Sequence, residues 1–440
     1  MFRIFFYILI FLTYSEITFA SAPTRIEFPS SPIPVGSGAR AIGMGGAFIG
    51  IADDATAADW NPAGLTDLDR AEISMVGTFV HRIENNIFNV SPESNGPQTV
   101  SHFCSNYFSI ASPFLMGETK MVFSLNYQKR YDFNKKWNFI LQHTNQKHHV
   151  DYQSEGSLSA LGFAYSVKIL ENLSLGITFN IWDNDISPNK WQQKSFKQGS
   201  GMDGKNFFID EILKTDTYIF KGYSWNLGLM WKDINNSGYS LGLVVKVPFK
   251  GQLNRYTHTV SKTYYPELPP YYDSINTPQP YECDESLYMP MSIGLGISYK
   301  YSDKFTVSFD IYRTNWNDFI LKDLNGNERS PITGESIETS TINASNQFRM
   351  GMEYIMLESA KYALPFCFGL FYDPAPAENS PDNFWGITIG TGFIEKQLFT
   401  FDIAYQFRFG KNVGDSILDH LGFSQSIYEH ILYSSVILYF

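Results

Sequence analysis

The sequence predicts an all-β protein: a closed antiparallel transmembrane β-barrel of about fourteen strands, with an N-terminal plug segment inside the lumen. Three observations predict it. Aromatic residues make up 16% of the chain, yet after the first few residues no apolar run reaches the roughly 18–20 residues that a membrane-spanning helix requires. From residue 72 onward, apolar and polar residues alternate with a period of two, the period of a strand. The segment 433–440 places Val436, Leu438 and Phe440 on one face and ends there.

The N-terminus reads Met1-Phe2-Arg3, then an uncharged stretch from Ile4 to Leu12, then small residues at Ala20 and Ala22. A short cationic start, an apolar core too short to span a bilayer and a small-residue cleavage site predict a secretory signal peptide over 1–20, cut after Ala20 or Ala22.

The alternation is clearest where Phe399, Phe401, Ile403, Tyr405, Phe407 and Phe409 share one face and Thr400, Asp402, Ala404, Gln406 and Arg408 the other. A sandwich also alternates, but here the apolar face is rich in aromatics at both ends. Charges such as Asp310, Glu353, Asp402 and Arg408 sit mid-strand on the opposite face. Lipid outside, polar lumen inside and aromatic girdles at the interfaces account for this pattern. No edge survives in lipid, so the sheet must close.

Strands are expected at 72–84, 102–115, 118–133, 157–170, 172–185, 216–232, 236–251, 288–301, 303–318, 341–356, 361–374, 383–396, 398–411 and 427–440. Tight turns such as 170–172 and 302–303 alternate with long polar stretches such as 186–215 and 252–287. Short turns belong to the periplasm and long loops to the outside, so both termini are expected in the periplasm. The barrel is then 72–440.

Residues 21–71 do not alternate. They are glycine-rich from Gly36 to Gly50, small and helix-leaning from Ala52 to Trp60, and then read Asn61-Pro62-Ala63-Gly64. A barrel this wide cannot be filled by its own side chains, so this compact segment is the expected plug.

Ala39-Arg-Ala-Ile-Gly-Met-Gly-Gly-Ala-Phe48, Ala52-Asp-Asp-Ala55 and Asn61-Pro62-Ala63-Gly64 resemble the N-terminal hatch of the FadL family. These are outer-membrane transporters of long-chain fatty acids and other hydrophobic compounds. Met289-Pro290, Phe309 to Phe319, Gly369 to Asn379 and Asp382 to Trp385 extend the resemblance over nearly the whole mature chain. It implies passive transport of a hydrophobic, fatty-acid-like ligand in the outer membrane of a Gram-negative-type bacterium. It implies contact with outer-membrane lipids and with the insertion machinery, and a monomeric state. The superfamily also includes secretion-associated shuttles or scaffolds with protein partners, which is the alternative. One position departs: the family's third strand is kinked inward near a glycine, where this chain carries Gln128, an argument against a kink and a lateral exit.

The net charge of −11 speaks against a nucleic-acid partner. Cys104, Cys283 and Cys367 are too few and too scattered for a disulfide framework. The sequence calls for no cofactor, no metal and no catalytic residue. Gly238-Tyr-Ser240-Leu-Gly242 matches a nucleophile elbow, but Ser240 opens a strand where the elbow needs a helix. Gly36–Gly50 lacks the strand and Lys-Ser/Thr of a phosphate loop. His143, His148, His149 and Asp151 lie in an outer loop, where solvation is the simpler reading.

Transport of an apolar solute needs a pocket, an anchor and a gate. Residues 206–217 are expected to form a short amphipathic helix, whose Phe207, Phe208, Ile212 and Leu213 capture the ligand. Arg130, Lys246 and Arg408 fall in the outer half of the lumen and are candidates for holding a carboxylate head group, or for pairing with Asp310 and other lumen acids. The gate is expected at Phe48, Ile49, Trp60, Asn61, Pro62 and Ala63, hinging at nearby glycines.

Overall fold

The computed structural model describes residues 36–143, 146–233, 237–415, 417–418 and 421–440. The expected signal peptide and residues 21–35 of the expected plug lie outside the described residues. From Glu72 the chain forms fourteen antiparallel strands: β1 Glu72–Phe88, β2 Gly96–Met116, β3 Thr119–Asp132, β4 Gln146–Leu170, β5 Leu173–Trp182, β6 Asn206–Lys232, β7 Tyr239–Lys246, β8 Ser292–Ser302, β9 Phe305–Thr314, β10 Ser345–Glu358, β11 Tyr362–Tyr372, β12 Phe384–Glu395, β13 Phe399–Val413 and β14 Phe423–Tyr439. Each pairs with the next. β14 pairs with β1 from Glu72↔Tyr439 to Phe88↔Phe423, so the sheet closes.

Alternation produces the two faces. Along β13, Phe401, Ile403 and Tyr405 are exposed outward while Asp402, Gln406 and Arg408 are buried within. Outward rings form girdles at both rims. At the short-turn rim, Tyr239–Tyr299 (4.6 Å), Tyr299–Tyr301 (6.3 Å), Tyr301–Phe305 (6.5 Å) and Phe305–Tyr354 (6.5 Å) run in sequence. At the other rim stand Phe179–Trp225 (4.6 Å) and Tyr372–Trp385 (4.6 Å).

The long polar stretches are not open loops. Strands Asn189–Asp203, Phe249–Tyr264 and Tyr281–Met289 prolong the wall beyond the long-loop rim. Asn189–Asp203 lies between the outer ends of β4 and β6, and Phe249–Tyr264 pairs with both β6 and Tyr281–Met289. Residues 206–217, expected to be helical, are therefore the start of β6. With a hydrogen-bonding partner along one edge throughout and along both from Ile209 on, an extended strand satisfies the backbone there, and that outweighs the amphipathic spacing. For the same reason β4 begins eleven positions before the expected 157.

Inside the ring lie two short helices, α1 Ala39–Gly43 and α2 Ala57–Trp60, and the 3₁₀ turn Pro62–Asp67. The space they occupy is made by glycine. Gly176 of β5 faces Gly228 of β6, Gly242 of β7 faces Gly296 of β8, and Gly351 of β10 faces Gly369 of β11. All point inward. A Cβ on Gly176 would run into Pro62, one on Gly242 into the Ile49 carbonyl and one on Gly369 into the Gly45 amide. The internal segment thus lies backbone against backbone on the wall, an approach that only a missing side chain permits.

Candidate functional site

The internal segment is bonded to the wall around its whole circumference. Asp310 Oδ2 of β9 accepts from the amides of Phe48 (2.7 Å) and Ile49 (2.8 Å). Thr388 of β12 accepts from the Gly45 amide (2.9 Å) and donates to the Gly43 carbonyl (2.8 Å). Arg40 lays its guanidinium on Glu353 of β10 (Nε–Oε2 2.6 Å, Nη2–Oε1 2.9 Å) and reaches Asp53 (2.6 Å). Burial pushes the Asp54 carboxyl above its usual range, whereas at Asp53 Arg40 more than offsets the same burial and holds it low.

Every residue expected to gate is buried. Phe48, Ile49 and Trp60 are fully enclosed, Phe48 stands edge-on to Trp60 (5.8 Å), and Trp60 Nε1 donates to the Ser37 carbonyl (2.6 Å). Asn61 connects the parts. Its Nδ2 donates to the carbonyls of Ile49 and of Leu229 in β6 (3.1 Å each), and its Oδ1 accepts from Ala63 (3.2 Å). Asn61→Asp removes both donors and sets a carboxylate against two carbonyls. At about 1–3 kcal/mol for each unsatisfied buried group, the expected loss is roughly 3 kcal/mol or more. A lowered thermal midpoint in detergent checks this, and an unchanged midpoint rejects it.

The three cations fall into two ion-pair networks. Arg130 pairs with Asp59 of α2, Lys246 acts on the same carboxylate, and Lys246 also stands 5.5 Å from the Tyr312 ring. Arg408 belongs to a second network, with Glu429 at 2.9 Å and Asp373 at 3.4 Å. This network contains residues that sequence reasoning missed: Arg349 lies 3.6 Å from Asp373, and Arg82 bonds Glu84 at 2.6 Å and Glu429 at 3.4 Å. Asp310, expected as a partner for a lumen cation, caps the Phe48 and Ile49 amides. Arg82, Arg130, Arg349 and Arg408 all line one cavity of about 140 Å³.

That cavity reaches a break in the wall. The β2–β3 ladder runs from Met116↔Thr119 to Tyr107↔Gln128 and stops. β2 continues outward on β1 alone, past a bulge that skips Asn106. β3 continues on β4 alone, past a bulge that skips Arg130. Farther out, Gln98 bonds the Asn138 backbone (2.7 Å and 3.3 Å) and closes the upper border. In between, His102 Nε2 of β2 reaches across to Asp132 of β3 at 2.8 Å, and Lys129 Nζ, on the same strand as Asp132, lies 2.6 Å from that carboxylate. Gln128 is the last residue of β3 in register with β2. It bonds Asn126 and Arg130 along its own strand, and the opening begins immediately beyond it.

The four expected capture residues sit at the far end of the extended sheet. Phe207 and Phe208 are half-buried near the hairpin tip, Phe208 lying 6.2 Å from Tyr265. Ile212 and Leu213 are exposed and, as neighbours on a strand, point to opposite faces. Between them and the internal segment lies an aromatic cluster that includes Phe133, Trp191 and Tyr218, with Trp191 stacked on Tyr218 at 4.6 Å. Ser240 donates to the Gly50 carbonyl (2.7 Å), a structural bond. His149 lies 3.7 Å from Asp151 on an exposed hairpin; the His143 side chain lies outside the described residues.

The sequence pattern of the family described as outer membrane protein transport protein (OMPP1/FadL/TodX) matches residues 35–419. No curated protein sequence matches the chain. Among solved structures, a Pseudomonas aeruginosa FadL homologue is similar at 12% identity, covering 93% of this chain and 100% of its own, with a TM-score of 0.61. The P. putida toluene transporter TodX is similar at 12% identity, with coverage of 92% and 99% and a TM-score of 0.56. The Ralstonia pickettii toluene transporter TbuX is similar at 14% identity, with coverage of 91% and 98% and a TM-score of 0.51. At these identities the likeness is one of fold.

Proposed function

Because this chain belongs to the OMPP1/FadL/TodX family of outer-membrane transport proteins, we propose that it carries long-chain fatty acids passively across the outer membrane. In this reading the short turns and both termini face the periplasm. Ligand collects on the apolar outer sheet around Phe207, Phe208, Ile212 and Leu213. Its carboxylate then settles among the lumen cations, and it leaves beside the hatch through the β2–β3 opening.

The observation that carries the reading is that opening. A barrel wall in lipid normally pairs every backbone group across its strands, and here the interruption coincides with a cavity lined by Arg82, Arg130, Arg349 and Arg408. A toluene-like solute has no use for four guanidinium groups, whereas a carboxylate can exchange for one of the acids, Asp59, Asp373, Glu84 or Glu429, that they hold. This supports a fatty acid over a neutral arene.

Binding of a fluorescent long-chain carboxylate to the purified barrel tests the assignment. Lys246→Ala with Arg408→Ala is expected to weaken it at least tenfold, about 1.4 kcal/mol, while binding of toluene stays unchanged. Equal carboxylate binding by the double variant overturns the anchor. A barrel that co-purifies with a protein and an empty lumen overturns fatty-acid transport in favour of a secretion-associated shuttle.

A further inference from the structure

We propose that His102 and Cys104 of β2, with Asp132 of β3, form a three-ligand site for a divalent transition metal, Zn²⁺ by the character of its donors, that staples the two edges of the wall opening. His102 and Cys104 are two apart on a strand and so share the inward face, and Asp132 comes from the opposite edge. One donor atom from each lies within 4.8 Å of the other two.

Bonds of about 2.0–2.3 Å in a tetrahedral site put donors roughly 3.3–3.8 Å apart, so the donors must close in by about an ångström. Side-chain rotation at edges that share no ladder can supply that. His102 Nδ1 is buried with no hydrogen-bond partner among the described residues. The His102 and Asp132 side chains are 19% and 27% exposed, and all three residues line the cavity, so an ion can reach them.

A cation already stands at the site. Lys129 Nζ lies 2.6 Å from Asp132, and a metal must displace it. Mg²⁺ and Ca²⁺ gain little from sulfur and nitrogen, whereas Zn²⁺ gains from both. On binding, the Cys104 thiol gives up its proton to solvent as the metal–sulfur bond forms. The donor set comes from the β2–β3 geometry and does not depend on the transport reading.

Co²⁺ titrated into the full-length barrel in detergent is the probe. The expected result is one equivalent bound, with a thiolate-to-cobalt charge-transfer band that Cys104→Ser abolishes. His102→Ala and Asp132→Asn are expected to weaken binding by roughly 10–100-fold or more. Lys129→Met is expected to tighten it by roughly tenfold, since a like charge a few ångströms away is gone. Zn²⁺ is expected to protect Cys104 from alkylation in the unaltered protein and not in Asp132→Asn. A band that persists in Cys104→Ser, or no binding by either the unaltered protein or Lys129→Met, overturns the site.

Discussion

A chain carrying Gly351→Val and Gly369→Val is expected to assemble its barrel and fail to seat its hatch. These two glycines face each other across β10 and β11, and a Cβ on either meets the backbone of Met44 or Gly45. Backbone cannot rotate away as a flexible side chain can. Each substitution costs about 1–3 kcal/mol by overpacking alone. Displacing Gly45 also forfeits its bonds to Thr388 and Arg349 (2.9 and 3.0 Å), at about 0.5–1.5 kcal/mol each.

The wall ladder around these positions is longer and more cooperative than the hatch's local contacts, so the hatch yields. Limited proteolysis is expected to cut within 36–71 while the barrel keeps its compact, heat-sensitive migration on a gel. Gly204→Ala serves as the contrast: nothing lies within 4 Å of its added carbon, and only the left-handed backbone (φ +63°) costs roughly 1–2 kcal/mol. A doubly substituted chain as protease-resistant as the parent would show that the belt of glycines does not hold the hatch.

Filling the wall opening is the second large effect. Cys104→Trp points a bulky ring into the cavity at the β2–β3 break, and release of a long-chain fatty acid through the wall is expected to fall at least tenfold. The ring enters the cavity lined by Arg82, Arg130, Arg349 and Arg408, so carboxylate binding there is expected to weaken along with release. Phe103→Trp, one residue away and 72% exposed on the outward face, is expected to transport at the parent rate. A Cys104→Trp chain that releases ligand normally would place the exit past the hatch, along the axis.

The barrel was legible because a strand exposes its two faces residue by residue. Five aromatics and Ile403, alternating from Phe399 to Phe409, are enough to orient β13, and the tight turns set the order of neighbours. The strands beyond the rim were less legible. In β6, Phe207, Phe208, Ile212 and Leu213 carry a spacing that suits a helix, and only the partners supplied by 189–203 and 249–264 make them a strand. Gln128 shows the same limit at the functional site. The residue at the expected kink was informative about its own backbone alone, whereas the opening arises from two bulges, at Asn106 and Arg130, on strands that part company.

The lumen cations were visible as inward charges, but not their partners. Arg130 meets Asp59, 71 positions earlier, and Arg408 meets Asp373 just beyond β11 and Glu429 on β14. His102 and Cys104 approach Asp132 only because β2 and β3 run side by side. By itself, the sequence determined which residues face outward and how the strands follow one another, since these depend on local periodicity and turn chemistry. Only the tertiary structure decided where the wall is unpaired, which glycines meet across strands and which charges share a cavity. Those are properties of register between segments far apart in the chain, and no local pattern encodes a register.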